Sequence, residues 1–243
     1  MPGRYTQSTD SAERWPHGTF LAELAGSSEA AKTLLSLGTL RSYEAGETLL
    51  TEGLHETFVL LLLSGVTKVT ALTGDGDTAL LAVRIGGDLV GEFAAFDNRP
   101  RSATVTAAGR VTARRIGQRD FLDCLDRRPV AALAVSRMLV RKNRWSVRRR
   151  GDFSGCPVAT RVARVLVDLV EDYGQPSHGR SFLIGPRLTQ AEIAGLVGAK
   201  ERRVHHVLGA LAEQEIIQVG YSRITVVSPA GLRRAARLTE PDD

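Results

Sequence analysis

The sequence has little cysteine. Two residues in 243, Cys124 and Cys156, with no Cys-x-x-Cys pair, exclude a disulfide framework and a thiolate metal cluster. A reducing, cytoplasmic setting suits such a chain, and both thiols are expected to be buried and structural. Long apolar runs are missing too. The longest block, FVLLLLSGV at 58–66, falls far short of the ~20 residues that span a bilayer, so no membrane partner is expected. The opening MPGRYTQSTDSAERWPHGT has no basic segment followed by an apolar one and does not read as a signal peptide. Catalytic signatures are equally scarce: Gly-x-Ser-x-Gly, a Walker loop, HExxH and a paired-acid constellation are all absent. The chain therefore does not read as an enzyme and offers no catalytic residue. No metal is expected either. An iron–sulfur centre needs a cysteine cluster that the N-terminus lacks, His55 alone is a poor haem ligand, and His205 and His206, adjacent on a helix, diverge by about 100°.

What the chain does have is positive charge: 32 Lys and Arg against 27 Asp and Glu, a net +5 and a pI near 9.6. Such a balance favours polyanionic partners. The excess lies in the C-terminal half, where residues 157–238 carry eleven basic against seven acidic side chains and RKNRW and RRR stand just before, within 141–150. Contacts from such groups to phosphate supply affinity rather than sequence choice.

Residues 1–18 are polar and aperiodic and read as a disordered tail. FLAELAGSSEAAKTLLSLG at 20–38 reads as short helices. From Tyr43 to Gln118 short β-type runs alternate with glycine turns, the pattern of an antiparallel roll or sandwich. TGDGD at 73–77 is a hairpin tip, with Gly74 and Gly76 expected to supply positive φ. Beyond Arg119 the period becomes helical. Pro129 opens one long helix to Phe153, with Ala132, Val135, Leu139, Asn143, Ser146, Arg150 and Phe153 along a near-heptad seam. Such a helix either lies on its own domain or pairs with a second copy; its position between two compositional segments favours pairing.

PVATRVARVLVDLVEDYG is a further amphipathic helix, and SFLIG a short strand. LTQAEIAGLVGAKERRVHHVL at 188–208 then breaks into two helices at Gly198, a residue type that ends helices in a left-handed conformation. Thr189 and Glu192 form a capping box on the first. The second points Val204, Val207, Leu208 and Leu211 inward and exposes Lys200, Glu201, Arg202, Arg203, His205 and His206. IIQVGYSRITVV follows as a two-stranded wing, and GLRRAARL as a final basic helix. A tight glycine turn between two helices with a wing is a helix-turn-helix arrangement whose second helix can enter a DNA major groove. Arg and Lys donate to guanine and phosphate, His donates or accepts, and Glu201 can accept from the cytosine amino group. Thr189 and Gln190, at the start of the first helix, join the candidate DNA contacts. The competing reading is a solvated charged face; the agreement of turn, inward spacing and wing favours DNA.

GGDLVGEFAAFDNRPRSATVTA at 86–107 sets a turn glycine and an acid ahead of Pro-Arg-Ser-Ala before a strand. This resembles the phosphate-binding cassette of cyclic-nucleotide-binding domains. Together with LTQAEIAGLVGA it resembles the CRP/FNR (cyclic AMP receptor protein) superfamily of bacterial transcription regulators, over about residues 20–235. The resemblance implies an α+β architecture: a cyclic-nucleotide-binding-like β-roll (jelly roll) effector domain over 19–128, a dimerisation helix over 129–154 and a winged helix-turn-helix DNA-binding domain over 155–243. It implies a homodimer on a palindromic double-stranded operator, contact with RNA polymerase, no obligatory cofactor, and cAMP or cGMP as effector. Two alternatives stay open: a module acting through protein–protein contacts, and a regulator that binds DNA without ligand.

Chemistry at the cassette can be assigned alongside. Backbone N–H groups of Gly91, Glu92 and Phe93 can cradle a phosphate, Arg101 offers a charge-assisted clamp, and Ser102 adds a hydroxyl. Glu92 can accept from a ribose hydroxyl. The alternative is that Arg101 and Glu92 pair with each other. In cAMP-responsive members two adjacent hydroxyl residues on the long helix reach the adenine; here Ser146 and Val147 stand there, and only Ser146 keeps the hydroxyl.

Overall fold

The computed structural model describes residues 15–16, 19–24, 26–74, 76–221 and 223–238. Apart from Trp15 and Pro16, the tail expected over 1–18 lies outside the described residues; Trp15 is half-buried against the helical layer of the roll.

Two short helices, α1 (Phe20–Glu23) and α2 (Ser28–Ser36), lead into β1 (Thr39–Tyr43), β2 (Thr48–Leu50), β3 (Val59–Ser64), β4 (Val66–Leu72), β5 (Thr78–Ile85) and β6 (Leu89–Val90). Helix α3 (Glu92–Asp97), β7 (Thr104–Ala107) and β8 (Val111–Ile116) complete the roll. Its strands form two antiparallel sheets, ordered β1-β8-β3-β6 and β2-β7-β4-β5. The apolar run that begins at Phe58 becomes β3, and its alternation decides the layering. Leu60 and Leu62 fill the space between the sheets with Leu50, Val105 and Val111. Val59 and Leu61 face the other way, into a helical layer with Phe20, Leu34, Phe121 and Met138. A strand covered on both faces reads as continuous apolar sequence rather than as an alternation. Full burial of each such side chain is worth about 1.5–3 kcal/mol.

The β4–β5 hairpin closes where Thr73 N–H donates to Asp77 O at 2.7 Å. Of the two glycines expected to take positive φ, only Gly76 does, at 83°; Gly74 does not.

Helix α4 (Gln118–Arg127) precedes α5 (Pro129–Gly155), 27 residues opened by Pro129 at its first turn and so about 40 Å long. The expected seam needs correcting. Val135 is buried in the chain's own core, and Ala132 and Leu139 pack half-buried against it. The apolar stripe that stays open is Leu133, Val140 and Val147, each about half exposed and spaced by sevens. It lies about 100° round the helix, more than a quarter of a turn, from the expected seam. The roll's helical layer claims the first turns, because Phe121 and Met138 already stand beside them. Cys124 is buried as expected, but Cys156, the residue just past the end of α5, is half-exposed.

The C-terminal unit comprises α6 (Val158–Tyr173), β9 (Gly174–Pro176), β10 (Phe182–Ile184), α7 (Gln190–Val197), α8 (Glu201–Glu213), β11 (Ile217–Gly220), β12 (Arg223–Val226) and α9 (Pro229–Ala235). Its sheet runs β11-β12-β10-β9. Its core joins Val162, Leu166, Ile193, Val204, Leu208 and Val226 to Leu80 and Val83 of β5. The roll hairpin is thus packed into the C-terminal core. Gly195 on α7 permits this: a Cβ there would stand 2.6 Å from Leu80 N. Lys68 on β4 adds an ion pair to Glu192 at 2.5 Å.

Candidate functional site

The helix pair α7–α8 is fixed at both ends of its first member. At the start of α7 the Thr189 hydroxyl accepts from Glu192 N–H at 3.2 Å, and the Glu192 carboxylate accepts from Thr189 N–H at 2.8 Å, so the capping box is complete. At the end Gly198 takes φ 63°, and Ala199 N–H reaches back to Ala194 O at 3.1 Å. A Cβ on Gly198 would also run into the Phe153 ring of α5. The last carbonyls of the turn are held by cations from two other helices: Arg149 of α5 donates to Leu196 O, and Arg161 of α6 donates to Val197 O and Gly198 O, each at 3.2 Å. The turn is therefore anchored to the long helix and not left as a free loop.

Helix α8 buries Val204, Leu208 and Leu211 and exposes Lys200, Glu201, Arg202, Arg203, His205 and His206. Lys200 is the residue before the helix rather than within it. His205 Nδ1 lies 2.8 Å from Gln190 Oε1, tying the two helices across their exposed side. Gln190 keeps its amide N–H groups for an external acceptor, and Thr189, whose hydroxyl oxygen serves the cap, keeps its O–H proton. The sequence reading missed the wing tip, where Tyr221 is 97% exposed; its only signal was an aromatic directly after the hairpin glycine.

The cassette is arranged differently from either expectation. Gly91 has φ 84° and precedes α3. Buried Arg101 donates to Gly91 O at 2.9 Å and to Phe58 O at 2.7 Å, and stacks over the Phe58 ring at 4.7 Å. Its Nε has no acceptor among the described residues, and burial pushes its pKa down. Glu92, also buried, pairs with Lys142 Nζ of α5 at 2.8 Å. Lys142 reaches Leu89 O at 2.9 Å as well, and burial lowers its pKa against the opposing pull of Glu92. Arg101 and Glu92 therefore do not pair with each other. Phe93 is half exposed, Ser102 and Ser146 are exposed, and Ser146 makes no hydrogen bond to the cassette among the described residues. Lys142 was missed in the sequence because fifty residues separate it from Glu92. The residue types fit a cyclic phosphate, a guanidinium over a glycine turn and a carboxylate beside it, but both charges are engaged by the protein itself.

Comparison with known proteins places both halves. The cyclic nucleotide-binding domain model matches residues 40–128, and the Crp-like helix-turn-helix domain model matches residues 160–235. The chain belongs to the CRP/FNR superfamily of bacterial transcription regulators. It is similar to the CRP-like cAMP-activated global transcriptional regulator of Mycobacterium tuberculosis, 28% identical over 195 residues that cover 80% of this chain and 87% of the relative. It is 25% identical to the cAMP-activated global transcriptional regulator Vfr of Pseudomonas aeruginosa, over 74% of this chain and 85% of that protein. In fold it resembles FixK2 of Bradyrhizobium japonicum, with a TM-score of 0.71 at 17% identity over 85% of this chain and all of that one. A Thermus thermophilus CRP/FNR-family regulator gives 0.65 at 23% identity, over 82% and 98%.

Within this CRP/FNR member the matched domains coincide with the two sites just described. The cassette falls inside the first model and the anchored α7–α8 pair inside the second, while α5 spans most of the interval between them. The described residues hold no helix long and apolar enough to cross a membrane, and no group of three or more candidate metal-ligating side chains.

Proposed function

We propose that this chain is a homodimeric, sequence-specific transcription regulator whose DNA affinity is set by a small effector at the cassette, cAMP or cGMP by chemistry. The anchored, fully exposed face of α8 carries the reading. A rod held by three buried aliphatic residues presents Lys200, Arg202 and Arg203 to phosphates and guanine edges, with His205, His206 and Glu201 for the remaining base edges. Thr189 and Gln190 supply further donors. The open stripe Leu133, Val140 and Val147 fits the same stripe of a second copy, and two-fold symmetry then requires a palindromic site with half-sites about one helical turn apart. RNA polymerase is the further partner, the cytoplasm the location, and no enzymatic activity belongs to the reading.

Effector entry has a defined consequence in this geometry. A phosphate taken by Arg101, with Ser102 and the N–H groups of Gly91 to Phe93, displaces the Gly91 and Phe58 carbonyls from the guanidinium. A ribose hydroxyl on Glu92 competes with Lys142. Since Lys142 sits on α5, the ligand exchanges a bond between cassette and dimer helix for one to itself and shifts the population of helix arrangements. Ser146, one helical turn beyond Lys142 on α5, is the residue proposed to meet the base. The same observation favours one second reading: the charges of Arg101 and Glu92 already have partners within the protein, Arg101 Nε alone excepted, as a regulator that needs no ligand requires. Selection from a random duplex pool by the purified protein tests the first claim, with a palindrome expected for the wild type and lost in Arg202→Ala; an unenriched pool overturns it.

A further inference from the structure

A cavity of about 240 Å³ lies where the roll, α5 and the C-terminal unit meet. Its walls are Ala82 to Arg84 of β5, Asp88, one face of α5 from Met138 to Arg149, Asp168 to Tyr173 of α6, and Leu196 of α7. Gly91, Arg101 and Ser102 do not line it, so it is separate from the cassette. Six cations line it, Arg84, Arg141, Lys142, Arg144, Arg148 and Arg149, against three carboxylates, Asp88, Asp168 and Asp172. Four of the cations are committed: Arg84 to Val83 O, Arg141 to Glu23, Lys142 to Glu92 and Arg149 to Leu196 O. Arg144 and Arg148 have no hydrogen-bond or ion-pair partner among the described residues, and both are exposed. They stand one helical turn apart, where like charges repel. Arg149, on the same helix and also lining the cavity, is 8% exposed, and its Nε has no acceptor among the described residues. Trp145, over which Arg149 stacks at 4.3 Å, supplies an apolar wall.

Five arginines have a buried Nε without a partner among the described residues; what a solvated helix face does not account for is one of them, Arg149, lining a cavity together with two unpartnered cations. An anion with two neighbouring phosphoryl groups does: it bridges Arg144 and Arg148, whose long side chains reach across one turn, and offers an acceptor to Arg149 Nε. The volume is near the lower end of small-molecule sites, which suits a diphosphate and its substituent rather than an oligonucleotide. Trp145 and Arg149 lie at least 120° round α5 from Leu133, Val140 and Val147, whereas Arg144, one turn from Val140 and Val147, borders that stripe, so a second copy there leaves the Trp145–Arg149 wall open and sets Arg144 at the rim of the pair. We propose that this inter-domain cavity is a second effector site for a small organic polyphosphate, held by Arg144, Arg148 and Arg149. Because its walls come from β5, α5, α6 and α7, an occupant bridges the roll to the helix pair that meets DNA. The site has its own lining but shares Lys142 with the cassette through Glu92, so occupancy of one is felt at the other.

The test uses the full chain with Trp15→Phe, so that Trp145 is the remaining tryptophan, titrated with inorganic pyrophosphate and then ADP at low salt. Both probes are expected to quench or shift the Trp145 emission in a saturable way. Arg144→Ala and Arg148→Ala, at exposed positions that leave folding intact by circular dichroism, are each expected to weaken binding about tenfold or more. Arg110→Ala, 74% exposed and outside the cavity lining, is expected to bind as the parent does. ADP binding more tightly than pyrophosphate assigns the remaining volume to the substituent; equal binding restricts the ligand to the diphosphate, and either result supports the site. No saturable signal at millimolar probe, unchanged affinity in both arginine variants, or an equal loss in Arg110→Ala or Arg202→Ala overturns it, the last two by showing diffuse attraction or capture at the DNA-facing helix.

Discussion

Gly195→Ala is a test in which local propensity and tertiary packing give opposite signs. In an isolated helix the change stabilises by about 1 kcal/mol, because glycine has more backbone freedom to lose. Here the added methyl would stand 2.6 Å from Leu80 N and 3.4 Å from Leu80 Cα and O, all backbone atoms that cannot rotate away. Helix α7 and strand β5 must separate by most of an ångström, loosening Leu80 and Val83 in the C-terminal core. Overpacking of this kind costs about 1–3 kcal/mol, and lost burial adds to it, so the net expectation is a destabilisation of about 1–2 kcal/mol. At this chain length each kcal/mol moves the melting temperature by about 2–4 °C. Gly209→Ala is the matched control: it lies in the exposed part of α8, its Cβ would meet nothing within 4 Å, and it should gain about 0.5–1 kcal/mol. Differential scanning calorimetry of both, with proteolysis at the 73–77 tip as a reporter of hairpin release, reads the outcome. Equal stabilisation by the two substitutions would refute the docking of α7 on the roll.

Three further expectations follow from particular bonds. Glu192→Ala removes the reciprocal half of the capping box and the Lys68 ion pair together, an expected loss of about 1–2 kcal/mol in denaturant melts, whereas Glu192→Gln keeps the box and loses less. The Asp172 carboxyl is pushed up to about 6 by desolvation in the cleft and then by the charge of Asp168. The folded chain therefore binds that proton more tightly than the unfolded one, and stability falls as pH rises from about 4 to about 6. Since the residue is exposed overall, the effect is well below the roughly 3 kcal/mol such a shift carries in a dry site. Asp172→Asn should flatten that part of the stability curve and leave pH 4 unchanged. Arg202→Ala should cost about 1–3 kcal/mol of specific binding and relax selectivity at one operator position, measured by anisotropy against single-base variants.

The layout was legible where periodicity is local. Short β-type runs between glycine turns gave the roll, the 3.6-residue period the helices, and Thr189, Glu192 and Gly198 the capped pair with its turn, because caps and turns are decided within a few residues. What escaped was decided at long range. The pairing of Glu92 with Lys142 spans fifty positions, and the carbonyl bonds of Arg101 reach from β7's approach back to Phe58. No short motif encodes either. The rotation of the open stripe on α5 escaped for the same reason: sequence shows which helical positions are apolar but not which the chain itself will cover. Gly76 takes the left-handed turn and Gly74 does not, a choice between equivalent residues that the hairpin register makes.

The central claim is that the anchored α8 binds DNA and that the cassette controls how well. Fluorescence anisotropy on the selected duplex, with and without cAMP or cGMP, for wild type and Arg101→Ala, tests both halves at once. The account predicts specific binding that one of these nucleotides tightens in the wild type, and an Arg101→Ala variant that still binds the duplex but no longer responds. Indifference to every duplex at low ionic strength, or an undiminished response in the variant, would contradict it.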